Sequence, residues 1–428
     1  MNRKFTKGQI IMMAAGALVV VLVVLVIIFG LRHKDNIPKF EFSFWGIESL
    51  PVYEKIIADY QKLRPNITVK YRQVGEANYE NDLINALAAG QGPDIFMVKN
   101  SWLLKHRNKI FPLPENQLSF FKFQQIFPNV VSQDFTLNEI VYAAPLSIDS
   151  LVLYYNKNFF DQKSVALAPT TWQEFLNILP QLRELNYAGE IVKSAAALGG
   201  STKTISRATD ILKLLMFQKG ASLLDPELKR AVFNEAKGKE AFDFYTKFAN
   251  PASPYYTWSD SLANSLNSFS QENTAIIFDY YSEVQNIKAK NPFLNFAISP
   301  MLQFDSGQAV NFAKYWGYTV AAKAGSLRGP WAWDFILFMT VNDQVADMYL
   351  TATKKPPALR TLINNYINDP DLGIFAKQAL TSRSGLQPDD IKVDQIFSEM
   401  IASVINGRLN SAKALQQATD QVTLLLKQ

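Results

Sequence analysis

Chemistry in this chain has to come from aromatic rings, carboxylates, amides and lysines, because the residues behind most covalent and metal chemistry are nearly missing. Cysteine is absent, and His33 and His106 are the two histidines. That excludes disulfides, thiol nucleophiles, cysteine-held metals and lipid attachment through cysteine. A Ser-His-Asp triad or a multi-histidine metal site would have to be built on His106 alone, since His33 lies beside a long apolar run. No metal and no cofactor is expected. Aromatic residues make up 13% of the chain; most such rings fill cores, but any that reach a cleft offer flat faces to an apolar or sugar-like ligand. The polar and aromatic residues of interest recur just past the carboxyl end of an apolar run. Lys99, Asn100 and Trp102 follow Ile95, Phe96, Met97 and Val98, and Asp279, Tyr280 and Tyr281 follow the run at 275–278. Ligands of open α/β sheets sit outside the carboxyl ends of strands, so these two tips face a ligand.

The elements that must position them are legible in order. Alternating Phe40, Phe42 and Phe44 predict a strand with one buried face, ending in Trp45-Gly46-Ile47-Glu48. A helical stripe of Val52, Ile56, Ile57, Tyr60 and Leu63 follows and stops before Pro65. A second strand alternates over 67–71, and a second helix over 78–89 ends at Gly90, a helix stop, with Pro93 leading into the buried strand 94–98. Strand, helix, strand, helix, strand is the βαβαβ pattern of a mostly parallel sheet. Two apolar runs, 140–145 and 151–156, flank the polar segment 147–150, a candidate hinge. Thr171 and Glu174 have capping-box spacing, which makes Trp172 a structural residue. Helices are predicted over 205–219, 234–248 and 329–349, and strands over 275–278, 294–298 and 315–322. Trp331 and Trp333, two apart on one helix, cannot share a face, so neither counts as a site. Amphipathic helices fill the remainder after 359.

At 428 residues the chain exceeds one ordinary core, so two domains are expected. The net charge of +5 comes from scattered basic residues, which argues against a nucleic-acid partner. Residues 10–31 carry no charge and are long enough to span a bilayer at roughly 20 residues. This run exceeds the usual core of a cleaved signal peptide and no A-x-A-like pattern precedes Asp35, so an uncleaved transmembrane anchor is expected, with the body of the protein on the extracytoplasmic side.

Several stretches taken together resemble one family. They are Phe44-Trp45-Gly46 ending the aromatic first strand; Tyr-Gln-Lys-Leu-Arg-Pro-Asn-Ile-Thr-Val at 60–69; Ala-Gly-Gln-Gly-Pro-Asp-Ile at 89–95; Leu-Tyr-Tyr-Asn-Lys at 153–157 followed by Pro-Thr-Thr-Trp at 169–172; the strand 275–278 with its aromatic tip; Trp316-Gly317; and Pro-Ala-Leu-Arg at 357–360. In this order they resemble the extracellular solute-binding proteins of ABC transporters, specifically the maltose-binding-like sugar family (family 1), over nearly everything after residue 40. Each motif alone is weak; seven in order are fairly specific.

The resemblance implies an α/β, two-lobe periplasmic-binding-protein-like fold with a central ligand cleft and hinge, preceded by one transmembrane helix. It divides the chain into 1–39, anchor and linker; 40–148 and 311–353, the N-terminal lobe; and 149–310 and 354–428, the C-terminal lobe. It places Trp45, Glu48, Asn100 and Trp102 on one wall of the cleft, Tyr155, Asp279, Tyr280 and Tyr281 on the other, and Tyr315 and Trp316 near a crossing; Trp258 is a candidate rim residue. The implied protein is not an enzyme. It is a monomeric binding domain that captures a small molecule, an oligosaccharide or related polar solute, by hinge closure and delivers it to ABC permease subunits. The missing lipid-attachment cysteine departs from many bacterial members and leaves room for a second reading, a membrane-anchored carbohydrate sensor or scaffold. A glycoside hydrolase would need a pair of carboxylates flanking the bond, about 5–9 Å apart; carboxylates are plentiful, but no catalytic motif is recognisable.

Overall fold

The computed structural model describes residues 6–8, 38–304 and 307–427. The apolar run at 10–31 lies outside these residues. Among them, no helix is long and apolar enough to cross a membrane.

The first half-lobe runs β1 (Phe40–Gly46), α1 (Leu50–Leu63), β2 (Ile67–Gln73), α2 (Tyr79–Ala88), β3 (Ile95–Lys99), β4 (Ile110–Phe111) and β5 (Ala144–Pro145). Short β6 (Asp149–Ser150) leads out of it. The second lobe follows with β7 (Val152–Asn156), α3 (Trp172–Leu182), β8 (Glu184–Leu185), β9 (Ile191–Ala196), α4 (Ala208–Gln218), β10 (Thr274–Asp279) and β11 (Phe296–Ser299). β12 (Asn311–Lys314) returns the chain to the first lobe, which adds β13 (Trp316–Ala321) and α5 (Gly325–Thr340). After α6 (Gly373–Ala379) and β14 (Ser382–Arg383), helices α7 (Asp390–Ile405) and α8 (Ser411–Leu425) close the second lobe.

In the first lobe the sheet order is β2-β1-β3-β13-β4, with β5 also on β13. β1 pairs in parallel with β2 and β3, as the βαβαβ pattern requires, while β13 runs antiparallel to β3. The second sheet is β8-β9-β10-β7-β11, in which β7 is antiparallel to β10. β14, β12 and β6 form a small third sheet joining the passages between lobes.

Local chemistry explains the boundaries. Gly90 takes φ of 71°, a left-handed conformation that glycine adopts without Cβ strain, and lets Gln91 N–H close the α2 end on Ala86 C=O at 2.9 Å. The Thr171 side chain accepts from Glu174 N–H and the Glu174 carboxylate accepts from Thr171 N–H, so the capping box is present and Trp172 is buried. The single helix expected over 329–349 is instead two, α5 and a helix Asp343–Thr353. The Asn342 side chain accepts from Gln344 and Val345 N–H, capping a fresh start. Gly317 in β13 is needed because a Cβ there would lie 2.6 Å from the Phe135 ring.

Two separate cores form. One gathers the apolar residues of 40–148 with Tyr315, Tyr318, Phe335 and Tyr349; the other gathers 151–312 with Phe397, Met400 and Leu415. Residues after 354 do not all join the second lobe: Leu359, Leu362 and Ile363 pack in the first core. The chain makes its last passage at α6, where Phe375 packs in one core and Ala376 and Ala379 in the other.

Candidate functional site

The cleft between the lobes is a cavity of about 830 Å³, within the range of small-molecule sites. Its first-lobe wall is formed by Ile47, Glu76, Lys99 and Trp316, with 352–356 at one edge. Its second-lobe wall is the tip 280–286 with Arg207, and Ser147, Asp149, Lys314 and Tyr315 lie at the crossings. The floor of each wall is a set of strand ends: β3 stops at Lys99, antiparallel β13 starts opposite it at Trp316, and β10 delivers Asp279 to Tyr281.

On the first wall, rings build a stack of edges. Trp316 meets Trp102 at 5.3 Å and 77° and Tyr79 at 5.3 Å and 71°. Lys99 Nζ sits over both indoles, 5.2 Å from Trp102 and 5.5 Å from Trp316, and 3.8 Å from Asp390 of the other lobe. Trp316 is partly exposed to the cleft, whereas Trp102 is buried behind it with an indole N–H that has no hydrogen-bond partner.

On the second wall, Arg207 is the organising side chain. Its Nε donates to Asp279 Oδ1 at 2.6 Å, its Nη2 donates to Glu283 Oε1 at 2.8 Å, and its guanidinium lies 5.1 Å from the Tyr280 ring centre. Tyr280 OH donates to Asp210 Oδ2 at 2.9 Å, and Lys314 Nζ approaches the same oxygen at 3.5 Å. Burial raises the Asp279 carboxyl to about 6 even though Arg207 pulls it down. Partly buried Asp149 accepts backbone N–H bonds from Tyr281 at 3.0 Å and Ser282 at 3.1 Å, tying the crossing strand to the tip; desolvation raises it to about 6.

The two lobes also touch beside the hinge. Lys105 Nζ of the first lobe is 2.9 Å from Asp389 at the start of α7, and Gln387 N–H donates to Ser101 C=O at 3.4 Å. Asp134 is buried and accepts from Tyr315 OH at 2.6 Å, from Asn100 Nδ2 at 3.1 Å and from Ser384 Oγ; desolvation raises its carboxyl to about 7.

Of the residues singled out in the sequence, Trp316, Tyr315, Tyr280 and Tyr281 line the cleft together, with Asp279 directly behind them. The others do not line it. Trp45 is buried, with Arg72 4.7 Å over its ring. Asn100 is a buried tie between Asp134 and the backbone at Ala313 and Tyr315. Glu48 is bound to Lys355, a cleft residue, and its backbone carbonyl accepts from Tyr71 OH. Tyr155 lies at the far end of its strand: β7 is antiparallel to β10, so Val152 is the residue opposite Asp279, and Tyr155 is opposite Ile276. Trp258 is buried, donating from Nε1 to Thr204 at 2.9 Å.

Arg207, Lys314 and Asp149 were missed by the sequence reading. Asp149 sits in the polar hinge segment, which was a usable signal. Arg207 opens a predicted helix and had none, because its partners are 72 and 76 positions away. Among the described residues no group of three or more His, Asp or Glu is placed to hold a metal.

Two α/β lobes, a chain that passes between them repeatedly and a polar, aromatic cleft at the strand ends define a hinged binding protein. Residues 47–346 match the bacterial extracellular solute-binding protein family, and the chain belongs to it. A maltotriose-binding protein of Pyrococcus abyssi is 24% identical over 137 residues, a match covering 32% of this chain and 29% of that protein. The cyclic alpha-maltosyl-1,6-maltose binding protein of Arthrobacter globiformis superposes with a TM-score of 0.76 at 16% identity, covering 91% of this chain and 99% of that one. UgpB of Mycobacterium tuberculosis, solved with glycerophosphocholine, superposes at 0.69 and 17% identity, covering 91% and 99%. Members of this family are binding proteins of ABC importers and not enzymes.

Proposed function

We propose that this chain is a membrane-tethered, extracytoplasmic binding protein that captures a carbohydrate or related polar solute in the cleft by hinge closure and presents it to an ABC import permease. The observation that carries this reading is the makeup of the cleft. Partly exposed rings of Trp316 and Tyr281 are offered from the two lobes, and a rim of lysine, arginine, amide and hydroxyl donors surrounds them. A sugar ring has an apolar face for the first and hydroxyls for the second.

Charge bookkeeping within the cleft narrows the ligand. Of the five cations that line it, Lys99, Arg207, Lys314 and Lys355 have a carboxylate behind them, in Asp390, Asp279 with Glu283, Asp210 and Glu48 respectively, and exposed Lys354 at the edge shares the cavity with the Glu76 carboxylate. Cations neutralised in this way act as hydrogen-bond donors more than as an anion trap, which favours an uncharged polyhydroxy ligand over a phosphate ester. The tether is the apolar run 10–31, supported by its length and lack of charge.

The test is a panel of uncharged oligosaccharides and glycerophosphocholine, scored by melting shift and by X-ray scattering. The expected result is a raised melting temperature with intact oligosaccharide and a smaller radius of gyration on binding. Hydrolysed product, or a shift with the phosphate ester alone, would sink this reading.

A further inference from the structure

We infer that the base of the first lobe, the face opposite the cleft, is a docking surface for anionic lipid headgroups of the membrane to which the chain is tethered. This rests on the tether proposed above. The strand register locates the face: Phe40, which opens β1, pairs with Ile67 of β2, and Ala321, which ends antiparallel β13, donates its N–H to Asp94 C=O just before β3. These residues share the end of the sheet away from Lys99 and Trp316. The eight residues 32–39 separate the apolar run from Phe40. Even fully extended they span about 29 Å, so this end of the lobe is held within that distance of the bilayer.

The chemistry of the face matches that neighbour. Leu63 and Leu327 project from it, 56% and 72% exposed. Leu327 adjoins Arg328, whose guanidinium stacks 5.5 Å from the Phe40 ring and donates to Glu41 C=O at 2.8 Å, so it stands beside the point where the linker enters the fold. Four carboxylates here already have cations: Asp94 has Arg328, Asp334 has Arg64, Asp59 has Lys55 and Lys62, and Glu41 has Lys70. Lys39, Arg107 and Lys323 are exposed at the same end, against the exposed carboxylate of Glu115, so the face is net positive. Exposed leucines in a basic surround are what an anionic leaflet attracts, and each basic residue near such a surface strengthens docking roughly fivefold. Docked this way the cleft stands one sheet length, about 20 Å, above the headgroups.

The absence of cysteine makes a clean experiment available. The full chain is reconstituted in lipid discs carrying an acyl-chain quencher, with a fluorophore on Ser326→Cys at the base or on Tyr187→Cys as a second position. Tyr187 is fully exposed on the β8–β9 turn, at the end of the second lobe away from the cleft. The expected result is quenching of the Ser326→Cys label at least threefold stronger in discs containing phosphatidylglycerol than in pure phosphatidylcholine, little quenching of the Tyr187→Cys label, and loss of the difference in Lys39→Glu/Lys323→Glu. Chains that stay with the discs but show equal quenching at both positions would overturn the docking face and leave the tether standing. Quenching that is the same in neutral discs, or that appears only with several chains per disc, would replace lipid charge with plain insertion or a second copy. Chains that do not travel with the discs at all would overturn tether and docking together.

Discussion

Replacing Arg207 with glutamine tests whether the second cleft wall is held by one buried ion-pair network. In the native chain the Arg207 side chain is 22% exposed and its partner Asp279 only 5%. Removing the cation leaves a buried carboxylate uncompensated, a loss of about 3–5 kcal/mol in comparable pairs. If the second lobe melts as a unit, each kcal/mol lowers its melting temperature by about 2–4 °C, so a fall of about 6–20 °C is expected at pH 8. The pH dependence carries the sign. Burial already raises Asp279 to about 6, and without Arg207, which lowers it, the carboxyl rises further. A raised carboxyl favours the folded state when protonated, and that stability is lost as pH climbs through the folded value. The deficit of Arg207→Gln should therefore be small at pH 5 and large at pH 8. Asp279→Asn in the same chain should recover most of it, which a double-mutant cycle by thermal melts at the two pH values measures. A deficit independent of pH, or undiminished in the Asp279→Asn background, would refute the reasoning.

Trp316→Ala should weaken ligand binding about tenfold or more by titration calorimetry while lowering the melting temperature little, since its indole is partly exposed to the cleft. Trp45→Ala should do the reverse. The ring is 7% exposed in the first core, so about 3–5 kcal/mol of stability is lost, read from denaturant unfolding, with affinity unchanged in whatever remains folded. Asp134, Asp149 and Asp279 are all raised by burial, to about 7, 6 and 6, so stability should increase as pH falls from 8 towards 5; Asp134→Asn should flatten the upper part of that slope. Asp390→Asn removes the lobe-bridging partner of Lys99 and should shift free protein towards an open form, seen as a larger radius of gyration without ligand.

The sequence by itself determined the elements and the overall architecture. Hydrophobic period and caps are local properties, so β1 to β3, the Gly90 stop and the Thr171 capping box were all legible before any fold was known. The polar segment 147–150 marked a real passage between lobes. The resemblance motifs then gave the family. Locality also explains the errors: the break at Val341 depends on the Asn342 cap, a one-residue signal within an apolar stretch, and the residues 359–363 join whichever core they reach.

The cleft itself was decided by tertiary structure. A strand tip is visible in sequence, but strand direction is not: the resemblance implies Tyr155 for the cleft wall, and it lies at the far end of its strand because β7 runs antiparallel to β10. Trp102 and Asn100 sit at a true tip, yet Trp316 comes between Trp102 and the cavity, and Asn100 is drawn inward by Asp134. Arg207 became the centre of the second wall because folding brings Asp279 and Glu283 to it from more than seventy positions away. Burial, pairing direction and long-range ion pairs are properties of the packed chain. They set which aromatic rings meet a ligand and which hold up the wall behind it.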